Sequence, residues 1–134
     1  MTRLLALLLM LSACGIAPQK SLAPDLGVFE TAFVETGRTE EAWSVAHIVR
    51  NDDQYQLVVY VRRADGRPPD ISRMKSAGTM QRIRVGTAAG AMIPQTQDLM
   101  QRAAKTGFEA SLCGTFTCYP VKVPATLYQQ ALLE

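Results

Sequence analysis

Two alternating runs, residues 43–50 (WSVAHIVR) and 54–63 (QYQLVVYVRR), flank Asn51-Asp52-Asp53, and no other stretch constrains the fold as much. Alternation with period two marks a strand with one buried face. Asn and Asp tolerate positive φ and bond their own backbone, so the three polar residues read as the loop of an antiparallel hairpin. Pairing across three loop residues sets Val49 opposite Tyr55, His47 opposite Leu57, Val45 opposite Val59 and Trp43 opposite Val61. All eight then share one face, and that face is expected to be the core, because a register is fixed by the apolar set it buries.

Around this hairpin the chain divides into short elements. Residues 28–35 (VFETAFVE) alternate weakly and predict one strand. After Pro68-Pro69, Asp70 is placed to cap a short helix over 71–77, stopped by Gly78. Residues 80–85 predict a strand with Gln81, Ile83 and Val85 on one side and Arg82 and Arg84 on the other. Residues 86–90 (GTAAG) have neither a P-loop lysine nor a dinucleotide fingerprint and read as a loop. Thr96 predicts the cap of a helix running to about Thr106, with Leu99, Met100, Ala103 and Ala104 at helical spacing and Gly107 beyond its end. Residues 108–113 and 118–123 predict a second hairpin. Pro124 opens a last helix with Leu127, Tyr128, Ala131 and Leu132 in one stripe. The expected class is α+β: a small, mostly antiparallel sheet with two or three short helices.

Composition excludes several functions. A chain of 134 residues, 48% apolar and 19% charged, suits one globular domain and not a disordered tail. One histidine and three cysteines leave too few ligands for a zinc site, and Asp52-Asp53 lack the spaced oxygens of a calcium loop, so no metal or cofactor is expected. His47 points inward in the register above, and no nucleophile or orienting acid stands out beside it, so the expected protein is not an enzyme. A net charge of +2 is too balanced for nucleic-acid binding by bulk charge. The charge is uneven, however. From Asp25 to Asp53 seven acids face two bases; from Arg62 to Arg84 seven bases face two acids. Arg62, Arg63, Arg82 and Arg84 are therefore the expected contact face for an anionic partner, an envelope protein or polymer.

Cys113 and Cys118 are separated by Gly-Thr-Phe-Thr. If these four form the loop, the cysteines meet across the hairpin with Cα atoms about 4.5 Å apart, a spacing a disulfide accepts. The spacing is not C-x-x-C, so the bond is expected to be structural.

Residues 1–13 (MTRLLALLLMLSA) carry Arg3 ahead of the eight-residue apolar run 4–11, too short to span a bilayer and suited to a secretory signal. The junction Leu11-Ser12-Ala13-Cys14 resembles the lipobox of bacterial lipoproteins: a branched apolar residue, two small residues, then cysteine. The resemblance implies thioether lipidation of Cys14, cleavage before it, and an added acyl chain such as palmitate. With Gly15 in place of aspartate it favours the outer membrane of a Gram-negative envelope over the inner, the body of the protein facing the periplasm. Residues 14–27 then form the lipidated N-terminus and tether, in which 16–27, with two prolines and no clear period, reach about 40 Å when extended, and 28–134 form the periplasmic α+β domain. The expected function is a membrane-anchored, non-enzymatic accessory or binding component of the envelope. The alternative is an inhibitor or regulator of a periplasmic hydrolase: small lipid-anchored lysozyme inhibitors are similar in size, anchor and disulfide-pinned β character, though none of their motifs is present.

Overall fold

The structure, a computed structural model, describes residues 28–86 and 90–133. The expected signal, Cys14 and the tether lie outside the described residues, as do the three central residues of the 86–90 loop. Among the described residues, ten strands and two helices follow in the order β1 (Val28–Glu30), β2 (Val34–Arg38), β3 (Ala42–Asn51), β4 (Gln54–Arg63), β5 (Arg73–Ser76), β6 (Thr79–Arg82), β7 (Arg84–Val85), β8 (Gly90–Gln95), α1 (Gln97–Thr106), β9 (Phe108–Cys113), β10 (Cys118–Val123) and α2 (Ala125–Leu133). They make two antiparallel sheets. The first has the order β1-β3-β4-β8-β7, with β2 also paired to β3; the second has the order β10-β9-β5-β6. One core lies between them. Ile48, Leu57, Val59 and Ile93 from the first sheet meet Met74, Leu112 and Val121 from the second, and Met100, Leu127 and Tyr128 from the helices complete it. The α+β class is as expected, with two sheets in place of one.

From Thr96 onward the chain folds as its local signals dictate. Thr96 Oγ1 accepts from the Leu99 N–H at 3.1 Å, and Gly107, at φ 84°, donates its N–H to Ala103 O, so α1 is capped at both ends. Phe108–Cys113 and Cys118–Val123 pair as expected. Leu127, Tyr128 and Ala131 of α2 are fully buried, and the Tyr128 hydroxyl donates to Gln95 Oε1 at 2.9 Å. Burial raises the pKa of this phenol well above its usual value.

The first hairpin differs from expectation by one residue. Its turn has two residues, with Asn51 paired to Gln54 and Asp52 at φ 61°. Val49 is therefore opposite Gln56, His47 opposite Val58, Val45 opposite Tyr60 and Trp43 opposite Arg62. On β4 the inward set Leu57, Val59 and Val61 is as expected. On β3 the faces are exchanged: Ala42, Ser44, Ala46 and Ile48 point inward, while Trp43 is 36% exposed on the outer face. Both faces of β3 are apolar enough to be buried, so alternation alone does not choose between them. The turn chooses, and β2 favours small partners, since Ser44 Oγ and Thr36 Oγ1 share a buried hydrogen bond of 2.7 Å.

Four further segments depart from expectation. The strand over 28–35 is two strands, because Thr31 leaves the ladder. Its N–H donates to Ile48 O and its Oγ1 accepts from the Ile48 N–H, each at 2.9 Å, so one residue takes both roles at the break. Residues 71–77 form no helix. Ala77 (φ 50°) and Gly78 (φ 84°) close a two-residue turn between β5 and β6, and two positive φ angles in succession favour glycine at the second. Asp70 caps nothing helical; its Oδ2 accepts from the Thr115 N–H at 2.8 Å. The strand over 80–85 breaks at Ile83, which passes the chain from the second sheet to the first. Its expected sides hold: Ile83 packs on the core, while Arg82 and Arg84 are exposed. Finally β8, not expected, pairs with both β4 and β7 although Pro94 lies within it.

Candidate functional site

The outward residues of β5, β6 and β7 form a cationic strip. Cross-strand partners in an antiparallel pair point to the same side. Arg73 on β5 faces Arg82 on β6, and Lys75 faces Met80. Met74 between them points to the core, so Arg73 and Lys75 point outward. Two residues beyond Arg82, past the inward Ile83, Arg84 continues the strip onto the first sheet. Among the described residues no carboxylate comes within 4.0 Å of Arg73, Lys75, Arg82 or Arg84.

The four arginines expected to act together are partly separated. Arg82 ends β6 on the second sheet and Arg84 opens β7 on the first, both exposed on either side of Ile83. Arg62 shares the outer face of the first sheet with Arg84, but the row of Arg84 runs through Met92 to Val58. Arg62 lies four residues further along β4, roughly 13 Å away along the strand and two strands across. Arg63 turns to the opposite side and pairs with Asp65 at 2.6 Å. The Asp65 carboxyl is held below its ordinary range, first by the Arg67 N–H and then by Arg63. Arg73 and Lys75 belong with Arg82 and Arg84, and reading 71–77 as a helix hid them. The signal that finds them is Ala77-Gly78 between two alternating tetrads, a hairpin turn with outward cations before it.

The outer face of the first sheet carries a second cluster. His47 is only 6% exposed, stacked under Phe33 with ring centroids 4.2 Å apart and 22° between planes. Tyr60 lies beside it, 6.1 Å away. His47 Nδ1 is buried without a hydrogen bond, and Glu30 Oε1 stands 3.5 Å from it. Burial lowers the His47 pKa below the ordinary imidazole value, and Glu30 only partly opposes this. His47 is therefore buried as expected, but beneath a phenylalanine on the outer face, apart from the core. Phe33 itself remains 53% exposed.

The third feature is the loop of the second hairpin. Cys113 and Cys118 are register partners joined by a disulfide, Cα to Cα 4.0 Å. Inside this staple Gly114 N–H donates to Thr117 O, and Asp70 holds the Thr115 N–H. Gly114 has no room for a side chain, since a Cβ there would run into the Asp70 backbone and carboxylate. Arg73 Nη2 donates to Gly114 O at 2.8 Å, while Arg73 Nε is buried without a partner. At the tip Phe116 is 95% exposed. A fixed loop that presents a bare phenyl ring loses little freedom on binding, and the sequence reading passed over Phe116.

Among the described residues no group of three or more His, Cys, Asp or Glu side chains gathers to hold a metal ion, and no helix is long and apolar enough to cross a membrane. Asp52-Asp53 form the turn of the first hairpin. Comparison with protein-family models, with curated proteins and with solved structures finds no match.

Proposed function

We propose that this chain is a lipid-anchored, non-enzymatic binding component of a Gram-negative cell envelope, held through an acylated Cys14 on the periplasmic face of the outer membrane. The sequence support is the Leu11-Ser12-Ala13-Cys14 junction behind a short apolar run. The observation that carries the reading in the folded domain is the Cys113–Cys118 pair, which stands at disulfide distance across a hairpin; such bonds persist in oxidising compartments such as the periplasm. Its contact residues are outward arginines, Arg62, Arg82 and Arg84, which fit an anionic envelope partner. Fractionation of cells that make the chain tests the anchor. The wild-type protein is expected in the membrane fraction and the Cys14→Ser variant outside it. Equal membrane recovery of both overturns the reading.

A second reading, an inhibitor of a periplasmic hydrolase, is favoured by one observation: Phe116 projects from a stapled loop of the kind that fills a cleft. It requires that micromolar protein inhibit lysozyme or an endogenous wall hydrolase and that Phe116→Ala abolish the effect. No inhibition removes it.

A further inference from the structure

We propose that the cavity beside Trp43 is a docking groove for an acidic peptide segment of a partner protein; this deepens the reading above, in which outward arginines meet an anionic partner. The register sets Arg38 of β2, Trp43 of β3 and Arg62 of β4 in one row across three strands. Cross-strand partners share a side, so the exposed indole stands between two arginines on the outer face of the first sheet. Arg38 lies over the ring, 5.8 Å from its centroid, and its fork is spent on Glu35 at 2.9 Å. On the β4 side the row opens into a cavity of about 570 Å³, lined by Trp43, Arg62, Arg67, Pro68 and Pro69 among others. That volume lies in the range that bound ligands fill.

The loop that walls the cavity, 64–69, is fixed by its own bonds. Gly66 N–H donates to Arg63 O at 3.0 Å, Asp65 Oδ1 accepts from the Arg67 N–H at 3.0 Å, and Asp65 Oδ2 holds Arg63. Pro68 and Pro69 add two locked φ angles. A wall built before the ligand arrives loses little freedom on binding. The charge of the groove has one sign. No Asp or Glu of the described residues lines it, and none of their carboxylates comes within 4.0 Å of the Arg62 or Arg67 side chain. Arg63 borders it as well but is neutralised by Asp65. Two unspent forks suit carboxylates, each of which pairs with a guanidinium through two parallel bonds. The indole and the two proline rings suit apolar side chains, which a bare phosphate or a lipid headgroup does not supply. An acidic peptide carries both kinds of group on neighbouring residues, and Trp and Arg are the side chains that most often anchor protein interfaces.

Trp43 is the only tryptophan of the chain, so its emission reports on this groove. The test uses the full chain with Cys14→Ser, which has no thiol there to acylate, so the result is independent of the anchor. At low salt it is titrated with acetyl-Leu-Glu-Pro-Glu-Leu-amide, with the same peptide carrying Gln for Glu, with a uronic acid tetrasaccharide, and with phosphatidylglycerol vesicles. Calorimetry gives the affinities, and fluorescence follows Trp43. The Glu peptide is expected to bind, to change the Trp43 emission, and to weaken with added salt. Arg62→Gln and Arg67→Gln are each expected to lower its affinity about tenfold, the scale of one lost charge-assisted hydrogen bond. Arg102→Gln on α1 removes the same charge from a site paired with Asp98 and is expected to change little. No binding of the Glu peptide at millimolar concentration, equal binding of the Gln peptide, binding that leaves the Trp43 emission unchanged, or equal loss with Arg102→Gln overturns the proposal. Tighter binding of the tetrasaccharide or of the vesicles overturns it too, in favour of a glycan or a lipid surface. Membrane recovery that requires Cys14 together with no peptide binding would remove this groove and leave the anchored reading standing.

Discussion

The two long hairpins of this domain are built on opposite plans. In β9–β10 one face carries Leu112, Tyr119, Val121 and Val123 to the core, the other carries Glu109, Lys122 and Pro120, and a disulfide joins the strands beside a four-residue loop. In β3–β4 apolar side chains occupy both faces, and a two-residue turn with Asp52 at positive φ does the aligning. The first plan specifies register through side-chain chemistry along the whole strand. The second leaves it to the turn and to what packs on each face. A face with small residues (Ala42, Ser44, Ala46) ends up inside because β2 and the second sheet approach closely, and the bulkier Trp43, Val45 and His47 remain outside, His47 under Phe33.

The largest expected effect separates the two faces of β3. Ile48→Ala removes a fully buried side chain and is expected to cost about 2–5 kcal/mol in urea unfolding. Val49→Ala, on the half-buried outer face, is expected to cost about 1 kcal/mol or less. A reversed order would restore the register that alternation alone suggests.

Removing the staple comes next. Loop-closure entropy for so short a ring gives about 2 kcal/mol for the Cys113→Ser/Cys118→Ser double variant. Amide exchange is expected to quicken around 113–118 while the Tyr119–Leu112 pairing survives. Loss of the whole hairpin would show that the bond sets the register which the apolar row is here taken to set.

The turns give smaller changes of opposite sign. Gly78→Ala puts a side chain at φ 84° and is expected to destabilise by about 1 kcal/mol. Asp52→Gly relieves a non-glycine residue at φ 61° and is expected to stabilise by about 0.5 kcal/mol. A loss of stability in Asp52→Gly would mean that the aspartate side chain, and not the backbone, holds the first turn.

The smallest is a pH effect on the outer face. His47 has a lowered pKa in the folded protein, so between that value and the unfolded value of about 6.5 the unfolded chain binds more protons. Stability is then fully present above pH 6.5 and falls as the pH drops below it. His47→Gln is expected to flatten that part of a Tm-versus-pH curve. An unchanged slope would remove the burial under Phe33 from the account of this face.

The same contrast explains what was legible in the sequence. The caps of α1, the β9–β10 pairing and the α2 stripe rest on local chemistry, Thr96, Gly107, the two cysteines and Pro124, and were readable in place. The β3–β4 register was not, because its alternation fits both faces. The β5–β6 turn was hidden because Asp70 and Gly78 also suit the ends of a helix; only the tertiary bond from Thr115 to Asp70 and the pairing of β5 with β9 decide for a strand. Arg82 and Arg84 were found as outward charges, whereas Arg73 and Lys75 needed the hairpin to join them.

The most direct test of the envelope assignment is the intact mass of the protein recovered from the producing cells, read with and without thiol alkylation. The expected product begins at Cys14, carries diacylglycerol and an acyl chain there, and takes up no alkylating agent until Cys113 and Cys118 are reduced. A product with a bare sulfhydryl at Cys14, or one that keeps residues 1–13, would contradict it.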